Sequence, residues 1–126
     1  MSRRRLATIV LALGLAGGAL AHTPTPASML AVLNAPDAQE ALGVQRAEQD
    51  RTNPRLLIVR VGPRWFELDG TDRLLQARMW RDDWRRAVAQ GVVAVLDGRT
   101  DLPVIGYAPG GTVFLRAARP AGHRAE

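Results

Sequence analysis

The sequence predicts an α+β fold. It is a small four-stranded, mostly antiparallel sheet in a β-α-β-β-β order, with one long amphipathic helix across one face and a short helical segment in front of it. Three observations lead there. Thr71–Gln90 repeats its apolar residues at helical spacing. Apolar runs of strand length lie before it (Leu56–Val61) and after it (Val92–Leu96, Val104–Tyr107 and Thr112–Arg116). Turn-forming clusters separate these runs: Thr52-Asn53-Pro54, Gly62-Pro63, Asp97-Gly98 and Pro109-Gly110-Gly111.

Met1–Ala21 has the three parts of a secretory leader. Arg3–Arg5 form the charged start, Leu6–Leu15 the apolar stretch, and Ala19-Leu20-Ala21 the small-x-small cleavage pattern ahead of His22. The apolar stretch is short and interrupted by glycine, which disfavours a spanning helix. The expectation is an exported bacterial envelope protein, periplasmic or secreted, whose only membrane contact is transient, during export. Residues 22–54 then read as a linker and a short helical segment, 55–116 as the α+β core, and 117–126 as a flexible tail.

Within the linker region, His22–Pro26 is extended by its prolines. Met29, Leu30, Val32 and Leu33 form an apolar patch. Asp37–Asp50 reads as a helix with a weak stripe of Ala38, Ala41, Leu42 and Gln45, weakened by Gly43 and ended before Pro54. Leu56–Val61 is a strand, which Gly62-Pro63 breaks and Trp65–Leu68 resumes.

The long helix is the best-specified element. At about 100° per residue, Leu74, Ala77, Trp80, Trp84, Ala87 and Val88 fall on one side. Asp69 or Thr71 suits its N-cap, Asp72 its positive end, Arg85 and Arg86 its negative end, and Gly91 the position beyond it. Trp80 and Trp84 read as core residues or as an aromatic platform for a sugar. Leu75 and Met79 lie off the stripe, as surface residues or as a partner contact. Arg78, Arg81, Arg85 and Arg86 form a basic side, offset by Asp82 and Asp83.

Composition excludes several classes of function. There is no cysteine, hence no disulfide framework, thiol nucleophile or cysteine metal site. The formal charge is +5, but three of the 17 basic residues are Arg3, Arg4 and Arg5, and the rest nearly balance the 12 acidic ones. That near-balance argues against a nucleic-acid surface. Pro109-Gly110-Gly111 lacks the Lys-Ser/Thr of a phosphate loop, and Ser28 has no Gly-x-Ser-x-Gly elbow. Glu67, Asp69 and Asp72 cluster as carboxylates could for acid–base work, or as helix-capping groups.

The two histidines are His22 and His123. Cleavage after Ala21 would make His22 the terminal residue, whose amine and imidazole form a chelating pair suited to copper. His123 could add a nitrogen and Tyr107 an axial oxygen. This resembles the histidine brace of exported copper-dependent proteins such as the polysaccharide monooxygenases, and the resemblance rests on His22 alone. It implies copper as the cofactor of an alternative function, a small copper-binding protein. The main reading has no cofactor and no catalytic residues.

That main reading comes from the strands. They are apolar on both sides, so both faces of the sheet need cover, and one long helix covers one. The second cover is the segment Met29–Ala47, a second copy of the chain, or another envelope protein. The expectation is an accessory or structural protein that binds an envelope partner, or itself, through the sheet face away from the long helix or along the sheet edge. The residues assigned to that contact are Leu57, Val59 or their neighbours, with Leu75 and Met79 on the helix.

Overall fold

The structure is a computed structural model and describes residues 23–116. The leader, His22, His123 and the tail lie outside the described residues. The chain is α+β and free of cysteine. It begins with two short helices, α1 (Pro26–Leu33) and α2 (Pro36–Leu42), then strands β1 (Val44–Gln49) and β2 (Leu56–Val61). A one-turn helix α3 (Pro63–Glu67) leads to the long helix α4 (Gly70–Ala87), and β3 (Val92–Asp97), β4 (Ile105–Tyr107) and β5 (Val113–Leu115) follow.

The sheet is not four-stranded. It has three strands in the order β1-β2-β3, and β4 and β5 form a separate pair. Strand β2 runs antiparallel to β1 and parallel to β3, with Val59 level with both Ala47 and Val95. The parallel pairing follows from the long connection: α3 and α4 carry the chain back to the start of the sheet, which a hairpin turn cannot do. The expected strand Val104–Tyr107 is divided between two partners. Val104 donates from its N–H to the Val95 carbonyl (2.9 Å), while Ile105–Tyr107 turns away to pair with β5.

The expected helix Asp37–Asp50 stops at Leu42. Gly43 adopts the left-handed conformation (φ 76°, ψ 20°), and the chain continues as β1. A side chain at Gly43 would be strained at that φ and would collide with the backbone nitrogen of Trp65. The resumed strand Trp65–Leu68 is likewise helix α3. Pro63 occupies its first turn, where the missing N–H and fixed φ favour helix entry.

Helix α4 begins after Asp69 at the N-cap position and ends at Ala87, with the Val88 N–H donating to the Trp84 carbonyl (2.7 Å). It ends a few residues earlier than the periodicity suggested, because Val88 already takes an extended conformation (φ −134°, ψ 121°). Its expected stripe is the buried one: Ala77, Trp80 and Trp84 are in the core, with Leu74 and Val88 packed against it. Trp80 stacks on Trp65 of α3, ring centroids 5.3 Å apart. Trp84 donates from Nε1 to the Arg55 carbonyl (2.7 Å), which ties the helix to the start of β2. These tryptophans are therefore core residues. At roughly 25 cal/mol per Å², a fully buried indole contributes about 4–6 kcal/mol.

One core joins everything. Met29 and Leu33 of α1, Ala38, Ala41 and Leu42 of α2, and Val104, Ile105 and Val113 near the hairpin share a cluster with Leu57, Val59 and Val95. The N-terminal segment thus covers the same sheet face as α4, extending that cover over β1. The hairpin is clamped to α4 by polar contacts: the Tyr107 hydroxyl donates to the Ala77 carbonyl (3.1 Å) and Arg81 donates to the Gly111 carbonyl (2.9 Å).

Candidate interaction surface

Side chains on a strand alternate between faces. Register therefore decides what each face of the sheet carries. On the helix-covered face, Val44 and Ala47 of β1, Leu57, Val59 and Val61 of β2, and Val93 and Val95 of β3 are all at most 4 % exposed. On the opposite face lie Leu56, Ile58 and Arg60 of β2, Val92, Ala94 and Leu96 of β3, and Arg46 and Glu48 of β1. None of the five apolar residues there belongs to the core or packs against it. Val92 is 42 % exposed, and Leu56, Ile58, Ala94 and Leu96 are half-buried. Among the described residues, no helix or strand lies over this face.

The charged residues flank the apolar ones: Arg46 and Glu48 on β1, Arg60 on β2, and Asp101 after β3. Arg60 donates to Glu48 at 2.7 Å and to Asp101 at 3.1 Å, and Arg46 lies 3.4 Å from the other Glu48 oxygen. The bonds to Glu48 and Asp101 hold the Arg60 guanidinium above its ordinary pKa. Arg46 and Asp101 are largely in contact with water, so their pairs contribute at most about 1 kcal/mol each, whereas Arg60 and Glu48 are partly covered. Their larger effect is to fix the Arg60 side chain, whose stem lies beside Leu96 across the β2–β3 register.

Both sheet edges are occupied over part of their length. On the outer side of β1, the Asn34 amide bonds the Ala47 backbone twice: Oδ1 accepts from the Ala47 N–H (2.8 Å) and Nδ2 donates to the Ala47 carbonyl (2.9 Å). A primary amide presents the donor and acceptor that a neighbouring strand would. Nδ2 also reaches the Leu30 carbonyl (2.9 Å), which anchors it to α1. On the outer side of β3, residues 102–104 run antiparallel, with the Asp97 N–H donating to the Leu102 carbonyl (2.9 Å) and a bridge between Leu96 and Pro103. Strand addition at either edge would have to displace these groups.

The residues singled out from sequence divide accordingly. Leu57 and Val59 are fully buried beneath the helices, at 0 % exposure, so the assignment of the free face was one residue out of register. Their neighbours Leu56 and Ile58 occupy it. Leu75, 37 % exposed, and the half-buried Met79 lie on α4, across the sheet from the open face, and do not join it. The signal that could have assigned the face is Arg60: it shares its side of β2 with Leu56 and Ile58, and an arginine avoids a dry core.

Several of the other candidate groups have structural partners. Glu67 pairs with Arg64 at 2.6 Å, Asp83 with Arg86, and Asp82 lies 3.8 Å from Arg81. Tyr107, the possible axial ligand, is committed to the Ala77 carbonyl, and burial pushes its phenol well above the usual tyrosine range despite the nearby Arg81 guanidinium. Among the described residues there is no group of three or more His, Asp or Glu side chains placed to hold a metal ion. No described helix is long and apolar enough to cross a membrane. Comparison with protein-family models, with curated proteins and with solved structures returns no match.

Proposed function

We propose that this chain is an accessory protein of the bacterial envelope, periplasmic or secreted, that works by binding protein through the open face of its three-stranded sheet. The observation supporting this is the apolar face formed by Leu56, Ile58, Val92, Ala94 and Leu96, uncovered among the described residues. Apolar residues on both sides of a strand are the pattern of a sheet covered twice, and the helices cover this one once. A contiguous apolar patch with a polar border is what a protein contact requires. The leader-like start of the chain supplies the envelope location.

The test is photo-crosslinking in the expressing cell. A photoreactive residue replacing Ile58 should give a discrete protein adduct in the envelope fraction, and one replacing Arg78, exposed on the far side of α4, should not. The same adducts from both positions, or none from Ile58, would overturn the reading. Recovery of the chain from the cytoplasm alone would overturn the location.

A further inference from the structure

We propose that the occupant of the open face is a second copy of this chain, in a two-fold dimer in which β2 of each protomer lies over β3 of the other. This rests on the docking reading above and specifies its partner.

The arrangement of the face favours self-association. Its apolar residues are confined to β2 and β3, while Arg46 and Glu48 lie on β1, Arg60 stands level with Leu96 near the end of β2, and Asp101 follows β3. A two-fold axis across the strands would set Leu56 against the partner copy's Arg60. An axis along β2 would set the apolar residues of β3 against the charges of β1. An axis parallel to the strands and between β2 and β3 avoids both. It sets Leu56 opposite Val92, Ile58 opposite Ala94 and Arg60 opposite Leu96, following the register by which these residues already neighbour each other within one sheet. Each contact joins a longer side chain to a shorter or complementary one. Ile58 finds room above Ala94, and the Arg60 stem, held by Glu48 and Asp101, lies along Leu96. Isologous contacts of this kind close after two copies, and facing sheets pack at about 10 Å with their strands nearly aligned.

Charge supports the same occupant. Around the border of the face, Arg46 and Arg60 are matched by Glu48 and Asp101. That border carries no excess sign with which to recruit an acidic or a basic partner. It also does not repel an identical copy, which a single-sign border would. The partly occupied edges leave face-to-face stacking as the less obstructed geometry.

The experiment is light scattering on the full chain and on the variants Ile58→Lys and Ala94→Glu, separately and mixed. The expected result is twice the chain mass for the natural sequence and one chain mass for each variant. Twice the mass should return on mixing, because Lys at 58 then faces Glu at 94 of the other chain. Recovery on mixing also shows that both variants are folded. A dimer that survives in both variants overturns the proposal, as does a natural chain that is monomeric at every concentration. In the monomeric case, the Ile58 crosslink separates the two readings. An adduct with a different polypeptide overturns self-association and keeps the docking face, whereas no adduct overturns both.

Discussion

Adjacent residues of β2 should differ sharply in their tolerance of charge. Val59 is fully buried between the sheet and the helices, and Ile58 is half-buried on the face that no described element covers. Val59→Lys forfeits about 1.5–3 kcal/mol of apolar burial. It also places an ammonium in a dry core, which costs several kcal/mol more or forces the amine to lose its proton. The total, about 5 kcal/mol or above, matches the whole stability of an ordinary domain. Ile58→Lys loses about half of one side chain's burial, roughly 1 kcal/mol, and gains a partner in Glu48, which stands directly across the β1–β2 ladder. Urea unfolding read by tryptophan emission reports both, since Trp65, Trp80 and Trp84 are each at most 3 % exposed. At a dilution where single chains dominate, Ile58→Lys should lower the midpoint by about 0.5 M. Val59→Lys should show solvent-exposed tryptophan without urea. Equal damage from both substitutions would refute the division of the sheet into a covered and an open face.

Three further outcomes follow from contacts described above. Asn34→Ala removes the amide from the β1 edge and should cost about 1–2 kcal/mol, with faster growth of scattering on storage; an unchanged midpoint and unchanged scattering would show that the edge needs no such cover. Gly43→Ala should destabilise by more than about 1 kcal/mol, because the positive φ and the nearby Trp65 backbone both oppose a Cβ; a neutral result by thermal melting would contradict the tight α2–β1 junction. Tyr107 is the only tyrosine in the chain, and its phenol is raised above the ordinary 10.0 by burial. The unfolded chain therefore releases this proton first, so stability is full below pH 10 and falls as pH rises beyond it. Tyrosinate absorbance should appear together with unfolding, and Tyr107→Phe should flatten the alkaline decline; ionisation of the folded chain near pH 10 would contradict that burial.

How much of this was legible in the sequence depended on redundancy of signal. Helix α4 was legible because its stripe, terminal charges and following glycine all agree, and Trp80 and Trp84 are buried as that stripe required. Strands β2 and β3 announce themselves by β-branched residues. Strand β1 does not: Val44-Gln45-Arg46-Ala47-Glu48-Gln49 holds one β-branched residue among good helix formers. What makes it a strand is tertiary, through its ladder with β2 and the left-handed Gly43 before it. The parallel pairing was hidden for the same reason, since without β1 the sequence offers β2 partners only among the C-terminal strands. The open face was legible as a need for cover, but not as a set of residues. A strand apolar on both sides gives no phase, and β3 points the wrong way, because its terminal Asp97 shares the covered side with Val93 and Val95. Arg60 alone carried the answer.

The central position of β2 also sets an order of events during folding. Its ladder with β1 closes over a short turn, in which Asp50 accepts from the Thr52 hydroxyl and the Asn53 N–H, so that hairpin can form within microseconds. Its ladder with β3 must wait until the whole helical crossover has been made, as Leu56 has to meet Val92 beyond α4. During that interval Leu-Leu-Ile-Val-Arg-Val is a six-residue strand with a free edge and two apolar faces, a composition that favours growth into ordered aggregates. Arg60 is its single interruption. The residue that marks the outer face of the finished sheet therefore also guards the nascent one, and replacing it with an apolar residue should divert refolding chains into aggregate before α4 has docked.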